Sequence, residues 1–196
     1  MATTDTRPNQ REHILDVALK LMSERGAAGM SMRQLASACG VQVAAIYHYF
    51  DSKQALLAAV VEERRYGSRL ADPLELDRSA DPEDRLRALF GLVWDGALAE
   101  EEIWSLLLGE GIRGEEAVMG VGRDLLAMVR KAAHEWVSEV VPEAQPTEAV
   151  AELLVGQLLS GFVRRVFEPD SHDEAAAARI GEQGADALVA AVFGTC

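Results

Sequence analysis

Apolar residues recur along most of the chain at helical spacing. Ile14, Ala18 and the pair Leu21–Met22 fall at i, i+4, i+7 and i+8, which places one apolar stripe on a first helix. Gly26 and Gly29 are expected to end it in a turn. Ser31 is the expected N-cap of a short second helix carrying Met32, Leu35, Ala36 and Cys39. Gly40 stops that helix, and a third short one is expected from Gln42 to Tyr49. Asp51 and Ser52 form a break and cap before a longer helix that begins near Lys53 and carries Leu56, Leu57, Val60 and Val61. It fades into a polar stretch, Arg69 to Pro82, the expected boundary zone. Beyond it, helical patterns run from Glu83 to Glu101, over Ile103–Leu108, and from Glu115 to Val140. Another is capped by Thr147 and ended by Pro169, and the last, Ala-rich, runs from Asp173 to Phe193. No strand pattern or repeat is legible, so the expected fold class is all-α.

Composition narrows the function. With 49% hydrophobic and 26% charged residues, the 196-residue chain reads as globular. No apolar run approaches the roughly 18 residues needed to cross a bilayer. Met1 to Gln10 is polar and lacks a signal-like apolar region, so a cytoplasmic protein without a membrane partner is expected. Two cysteines, Cys39 and Cys196, make no disulfide framework and no zinc spacing. His13, His48, His134 and His172 stand apart in sequence, so no metal site is expected. No Gly-rich phosphate loop, nucleophile elbow or paired-carboxylate motif is present. The expectation is therefore a non-enzyme with no catalytic residues and no cofactor.

The net charge of −13 argues at first against a polyanionic partner. It is unevenly placed. Residues 1–53 hold six Lys/Arg against five acids, a net of +1, while the rest carries −14. Contact with nucleic acid is to be sought in the first quarter of the chain.

There, the segment SMRQLASACGVQVAAIYHYFDSK (31–53) sets a short helix, a glycine turn and a second short helix in sequence, a helix-turn-helix pattern. Leu35, Ala36, Val41 and Ile46 are placed to clamp the two helices. Gln42, Val43, Ala44 and Ala45 offer a small or polar outer face that fits a major groove about 12 Å wide. The Tyr47–His48–Tyr49–Phe50 run joins one buried aromatic to hydroxyls and an imidazole that reach phosphates.

These residues resemble the N-terminal signature of the TetR family of bacterial transcriptional repressors. The matching positions are Ala18, Leu21, Gly26, Met30, Arg33, Leu35, Ala36, Gly40, Val41, Ile46, Tyr47, Phe50, Lys53, Leu56 and Leu57. The resemblance implies a helix-turn-helix DNA-binding domain at 8–53, a connecting helix at 54–72, and an effector-binding and dimerisation domain at 73–196. It implies phosphate contacts from Tyr47, His48, Tyr49 and Lys53, the last at a helix N-terminus that itself favours phosphate. Base-edge contacts would come from Arg33, Gln42, Val43 and Ala44. Two positions depart from the family pattern. Gln42 stands where Ser or Thr is frequent, a weaker cap but a longer reader. Ala45 stands where a hydroxyl often touches phosphate.

A single reader of this size and charge grips DNA weakly. Two readers held about 34–36 Å apart match successive major grooves of a palindrome, so a homodimer on double-stranded operator DNA is expected. The last two helices are the candidate interface, through Leu154, Leu158, Phe162, Ile180 and Leu188. The alternative is that these faces are intradomain core. The family places a small-molecule effector among the central helices. Phe90, Trp94, Trp104, Leu107, Met128 and Trp136 are the candidate lining of a mainly apolar pocket, and Asp95 or Glu110 would favour a cation if they faced inward. The alternative for each aromatic is plain core. The alternative functions are a helical ligand-binding protein, a structural adaptor, and a family member without effector control.

Overall fold

In the computed structural model, which describes residues 10–63, 76–168 and 173–194, every regular element is a helix. Residues 64–75, which hold the end of the expected connecting helix and most of the boundary stretch, lie outside the described residues. So do residues 1–9, Pro169, His172 and Cys196. The helices are α1 (Gln10–Gly29), α2 (Met32–Ala38), α3 (Val43–Tyr49), α4 (Lys53–Glu63), α5 (Pro82–Leu98), α6 (Glu101–Ile112), α7 (Glu116–Val140), α8 (Thr147–Phe167) and α9 (Glu174–Phe193). The chain divides into two compact units. One is Met1–Tyr66 with Glu100–Asp124; the other is Gly67–Ala99 with Leu125–Cys196.

In the first unit, α1 packs against α2, α4 and α6, and α2 packs against α3. Ile14, Ala18 and Met22 of the expected stripe are buried with Leu35, Ile46, Phe50, Leu56 and Val60, while Leu21 is half-buried and Leu15, outside that stripe, is buried in its place. Gly26 breaks α1 with φ +71, a left-handed conformation that costs glycine little. Ser31 caps α2 as expected, in a reciprocal arrangement. Its hydroxyl accepts from the Gln34 N–H at 3.2 Å, and the Gln34 side chain accepts from the Ser31 N–H at 2.8 Å. Gly40 ends the α2 turn at φ +68. Ser52 caps α4 by accepting from the Ala55 N–H at 3.0 Å. The short apolar piece at 103–108 is the middle of a full helix, α6. Glu101 and Glu102 occupy its first turn, where the helix dipole favours them.

In the second unit, α9 packs against α5 and α8. Asp173 caps α9, accepting from the Ala176 N–H at 2.6 Å. Thr147 does not cap α8. It is the first helical residue, behind Pro146, and its hydroxyl lies 3.4 Å from His134 Nε2. The N-cap position itself falls on Pro146, which has no side-chain oxygen to cap with. Trp94 sits in a slot made by missing side chains. A Cβ at Gly161 would fall 2.5 Å from its ring, and one at Gly181 would fall 2.4 Å from it. The Trp94 indole donates to the Ala177 carbonyl at 3.0 Å, which satisfies the buried N–H. Phe90 fills the matching space at Gly184. Arg85, 9% exposed, closes the end of α7: its guanidinium donates to the Val140 carbonyl, to the Ala80 carbonyl at 3.0 Å and to Glu143 at 2.6 Å.

Candidate nucleic-acid interface

The seven residues of α3 are held from beneath and open above. Ile46 is fully buried and Phe50 nearly so, which clamps α3 onto the unit's core. The Arg11 guanidinium stacks 5.3 Å from the Phe50 ring centroid and pairs with Glu63, tying the start of α1 to the end of α4. Gln42, Ala44, Tyr47 and His48 are exposed, while Val43, Ala45 and Tyr49 are half-buried. Gln42 occupies the N-cap position of α3 without a side-chain capping bond, so its amide is not spent on the helix end. Tyr47, 48% exposed, keeps its phenol in solvent. Tyr49 turns sideways. Its hydroxyl reaches the Gln10 side chain at 3.4 Å and its ring meets His48 edge-on at 5.1 Å. Arg33, near the start of α2, is exposed and makes no ion pair among the described residues.

Lys53 is the residue with a second engagement. Its ammonium donates to the Ala28 carbonyl at 3.1 Å, at the broken end of α1. Beside it the Glu110 carboxylate accepts from the Ala27 N–H and from Arg113, each at 2.6 Å. The Arg113 hydrogen bond holds the Glu110 carboxyl below the usual carboxylate range. Burial opposes this, and the Ala27 N–H and the charges of Arg113 and Lys53 assist it. Glu110 is therefore an ionised carboxylate whose charge is already compensated by Arg113. Sequence reasoning offered it as a ligand anchor and missed this arrangement, although Gly26 marks the place. Cys39 is half-buried, and burial pushes its thiol up, away from reactive thiolate.

The remaining candidates are dispersed. Phe90 and Trp94 are on α5 and fill the second unit's core; Trp104 and Leu107 are on α6 in the first unit. Trp136 is buried on α7, and Met128 on the same helix is 46% exposed. Leu154, Leu158, Phe162, Ile180 and Leu188, expected at a dimer interface, are all buried within their own chain, with Phe162 against Trp94 at 5.6 Å between rings. The exposed apolar positions of α8 are instead Leu153, Leu159, Val163, Val166 and Phe167. No cluster of three or more metal-ligating side chains occurs among the described residues. No described helix is long and apolar enough to cross a membrane.

A capped α2, a glycine turn and an α3 with its polar face outward define a helix-turn-helix protein with an all-helical body. Comparison with known proteins narrows the class. Residues 14–60 match the family described as bacterial regulatory proteins, tetR family. An uncharacterised helix-turn-helix transcriptional regulator from the dhlA 5′ region of Xanthobacter autotrophicus is 35% identical over 174 residues, covering 83% of this chain and 82% of that one. The transcriptional repressor NicS of Pseudomonas putida is 33% identical over 103 residues, 52% of this chain and 48% of NicS, so this match spans about half of that relative. A solved tetR-family regulator from Agrobacterium tumefaciens shares the fold with a TM-score of 0.69 at 20% identity, over 91% of this chain and 96% of that one. The chain belongs to the tetR family of bacterial regulatory proteins.

Proposed function

We propose that the chain is a cytoplasmic DNA-binding transcriptional repressor that grips a palindromic operator as a homodimer and is released by a small hydrophobic effector. The observation that carries the reading is the outward face of α3: Gln42, Ala44, Tyr47 and His48 are exposed above a helix locked from below by Ile46 and Phe50. A rigid mount with a short polar edge is what reading base edges in a major groove requires. In this reading residues 8–53 bind DNA, 54–72 connect, and 73–196 bind effector and dimerise. Arg33, Gln42, Val43 and Ala44 read base edges; Tyr47, His48, Tyr49 and Lys53 hold phosphates. All named relatives are regulators, which favours this over an enzyme.

The dimer is proposed through α8 and α9, on the faces that remain uncovered. Leu153, Leu159, Val163 and Val166 with Phe167 fall three to six residues apart along α8 and are between 36% and 79% exposed. A stripe of that kind on a helix surface favours a partner. On α9, Ala187, Ala190 and Ala191 are small and exposed, which permits close helix approach. For the effector, Met128 and Trp136 of the second unit stay proposed apolar contacts; Phe90 and Trp94 would respond through the core they fill.

The test is binding to duplexes selected by the chain from a randomised pool. Arg33→Ala and Gln42→Ala should relax preference at one or two half-site positions, at about 1–3 kcal/mol each. Tyr47→Phe and Lys53→Ala should weaken all duplexes alike and lower the salt slope, because phosphate contacts carry no sequence. Equal loss on every duplex in all four variants, with unchanged preference, would show that the readers lie elsewhere.

A further inference from the structure

We infer that Glu110 is a positioning residue for DNA binding: its carboxylate, carried on α6, fixes the broken end of α1 and so sets the two helices that present the readers. This rests on the reading of α2 and α3 as the DNA-binding pair. The break at Gly26 takes the Ala27 N–H out of the regular α1 ladder. Ala27 is buried, so water does not supply an acceptor; Glu110 Oε1 does, at 2.6 Å, from a side chain in a residue only 3% exposed. Arg113 Nη2 donates to the same oxygen at 2.6 Å. One residue on, the Ala28 carbonyl takes the Lys53 ammonium at 3.1 Å. Residues 27 and 28 are thus gripped on the N–H side from α6 and on the carbonyl side from α4.

The grip has no slack beside it. A Cβ at Gly26 would lie 2.9 Å from Arg113 Nη2 and 3.2 Å from Glu110 Oε1, and the φ of +71 strains any other residue, so a side chain here would disturb the two groups that hold Ala27. Downstream, only Met30 and Ser31 separate α1 from α2, and Met30 is buried. A shift of Ala27 is not absorbed by a loop. It moves the first turn of α2, where Arg33 stands, and the α3 that packs on α2. It also releases the backbone partner of Lys53, a proposed phosphate contact. Glu110 reaches no DNA itself; it acts through the segment it holds.

The test uses the full chain and two duplexes of equal length, one selected by the wild type from a randomised pool and one scrambled. Affinities are compared as a ratio, at a temperature where circular dichroism shows each variant folded. Loss of folded protein lowers both affinities by one factor and leaves the ratio alone, so the ratio separates positioning from stability. Glu110→Asp withdraws the oxygen from Ala27 and should cut the ratio by about tenfold or more, whereas Glu110→Gln leaves an acceptor there and should stay within about threefold of wild type. Arg113→Ala keeps the Ala27 bond and should leave the ratio intact. An unchanged ratio in Glu110→Asp, or a fall in Glu110→Gln as deep as in Glu110→Asp, overturns the assignment. A wild-type chain that selects no duplex overturns the DNA reading itself, and this inference with it.

Discussion

At Gly181 a methyl group would lie 2.4 Å from Trp94 Cδ1 and 2.7 Å from its Nε1. Neither atom belongs to a flexible tip, since the indole is locked by its bond to the Ala177 carbonyl. Gly181→Ala should therefore destabilise the fold by about 1–3 kcal/mol through overpacking, read as a lower urea midpoint. Gly91, inside α5, meets nothing within 4 Å. Gly91→Ala should instead stabilise by about 0.5–1 kcal/mol, because the helix loses less chain entropy on folding. Opposite signs for one chemical change would confirm that the slot, not glycine content, matters. Ser31→Ala should cost about 1 kcal/mol, the typical loss for an N-cap. That cap was legible because it bonds to a residue three positions away. Glu110 and Ala27 are separated by 83 residues and Arg85 and Val140 by 55, and no local spacing announces such pairs.

Helix α8 carries apolar residues on two faces, and this is where sequence and fold part. Val150, Leu154, Leu158 and Phe162 face inward; Leu153, Leu159, Val163 and Val166 face out. Periodicity predicts a broadly apolar helix but does not say which side is already covered. The expected interface named Leu158 and Phe162, each one residue, and so about 100° around the helix, from an exposed neighbour, Leu159 and Val163. The helices themselves were legible nearly to their ends, because long 3.6-residue patterns dominate the chain. α6 was read too short, since Gly109 and Gly111 interrupt its apolar run. The two faces give a paired prediction. Val163→Glu, on the exposed face, should leave helix content unchanged and shift sedimentation from dimer to monomer. Leu158→Glu should unfold the chain, because a carboxylate would be buried unpaired. A folded Leu158→Glu monomer beside a dimeric Val163→Glu would return the interface to the buried set.

Over the whole molecule, the acids that carry the negative charge also govern its response to pH. Glu110, Glu143 and Glu168 are held below their ordinary value of 4.5, each first by a hydrogen bond from an arginine. Asp77 is held below its own by Ser79. A carboxyl with a depressed native value binds fewer protons when folded than when unfolded. Its stabilisation is thus complete above the unfolded value and fades as pH falls through the native one. The thermal midpoint should be level above about pH 5 and decline steadily below about pH 4.5. Glu110→Gln should shallow that decline, because its native carboxyl no longer takes part. An acid limb as steep in Glu110→Gln as in wild type would remove Glu110 from the set.

The glycine slot around Trp94 has an optical consequence. An indole that is 2% exposed and bonded to a carbonyl emits in the blue and is screened from collisional quenchers. Trp136, 8% exposed, is screened nearly as well, whereas Trp104 is half-buried. The chain thus carries one indole on α6, the helix that holds Glu110, that is more accessible to acrylamide than the two sealed ones, which serve as an internal intensity standard. The quenchable fraction of the emission reports on α6 from the native sequence, without a label.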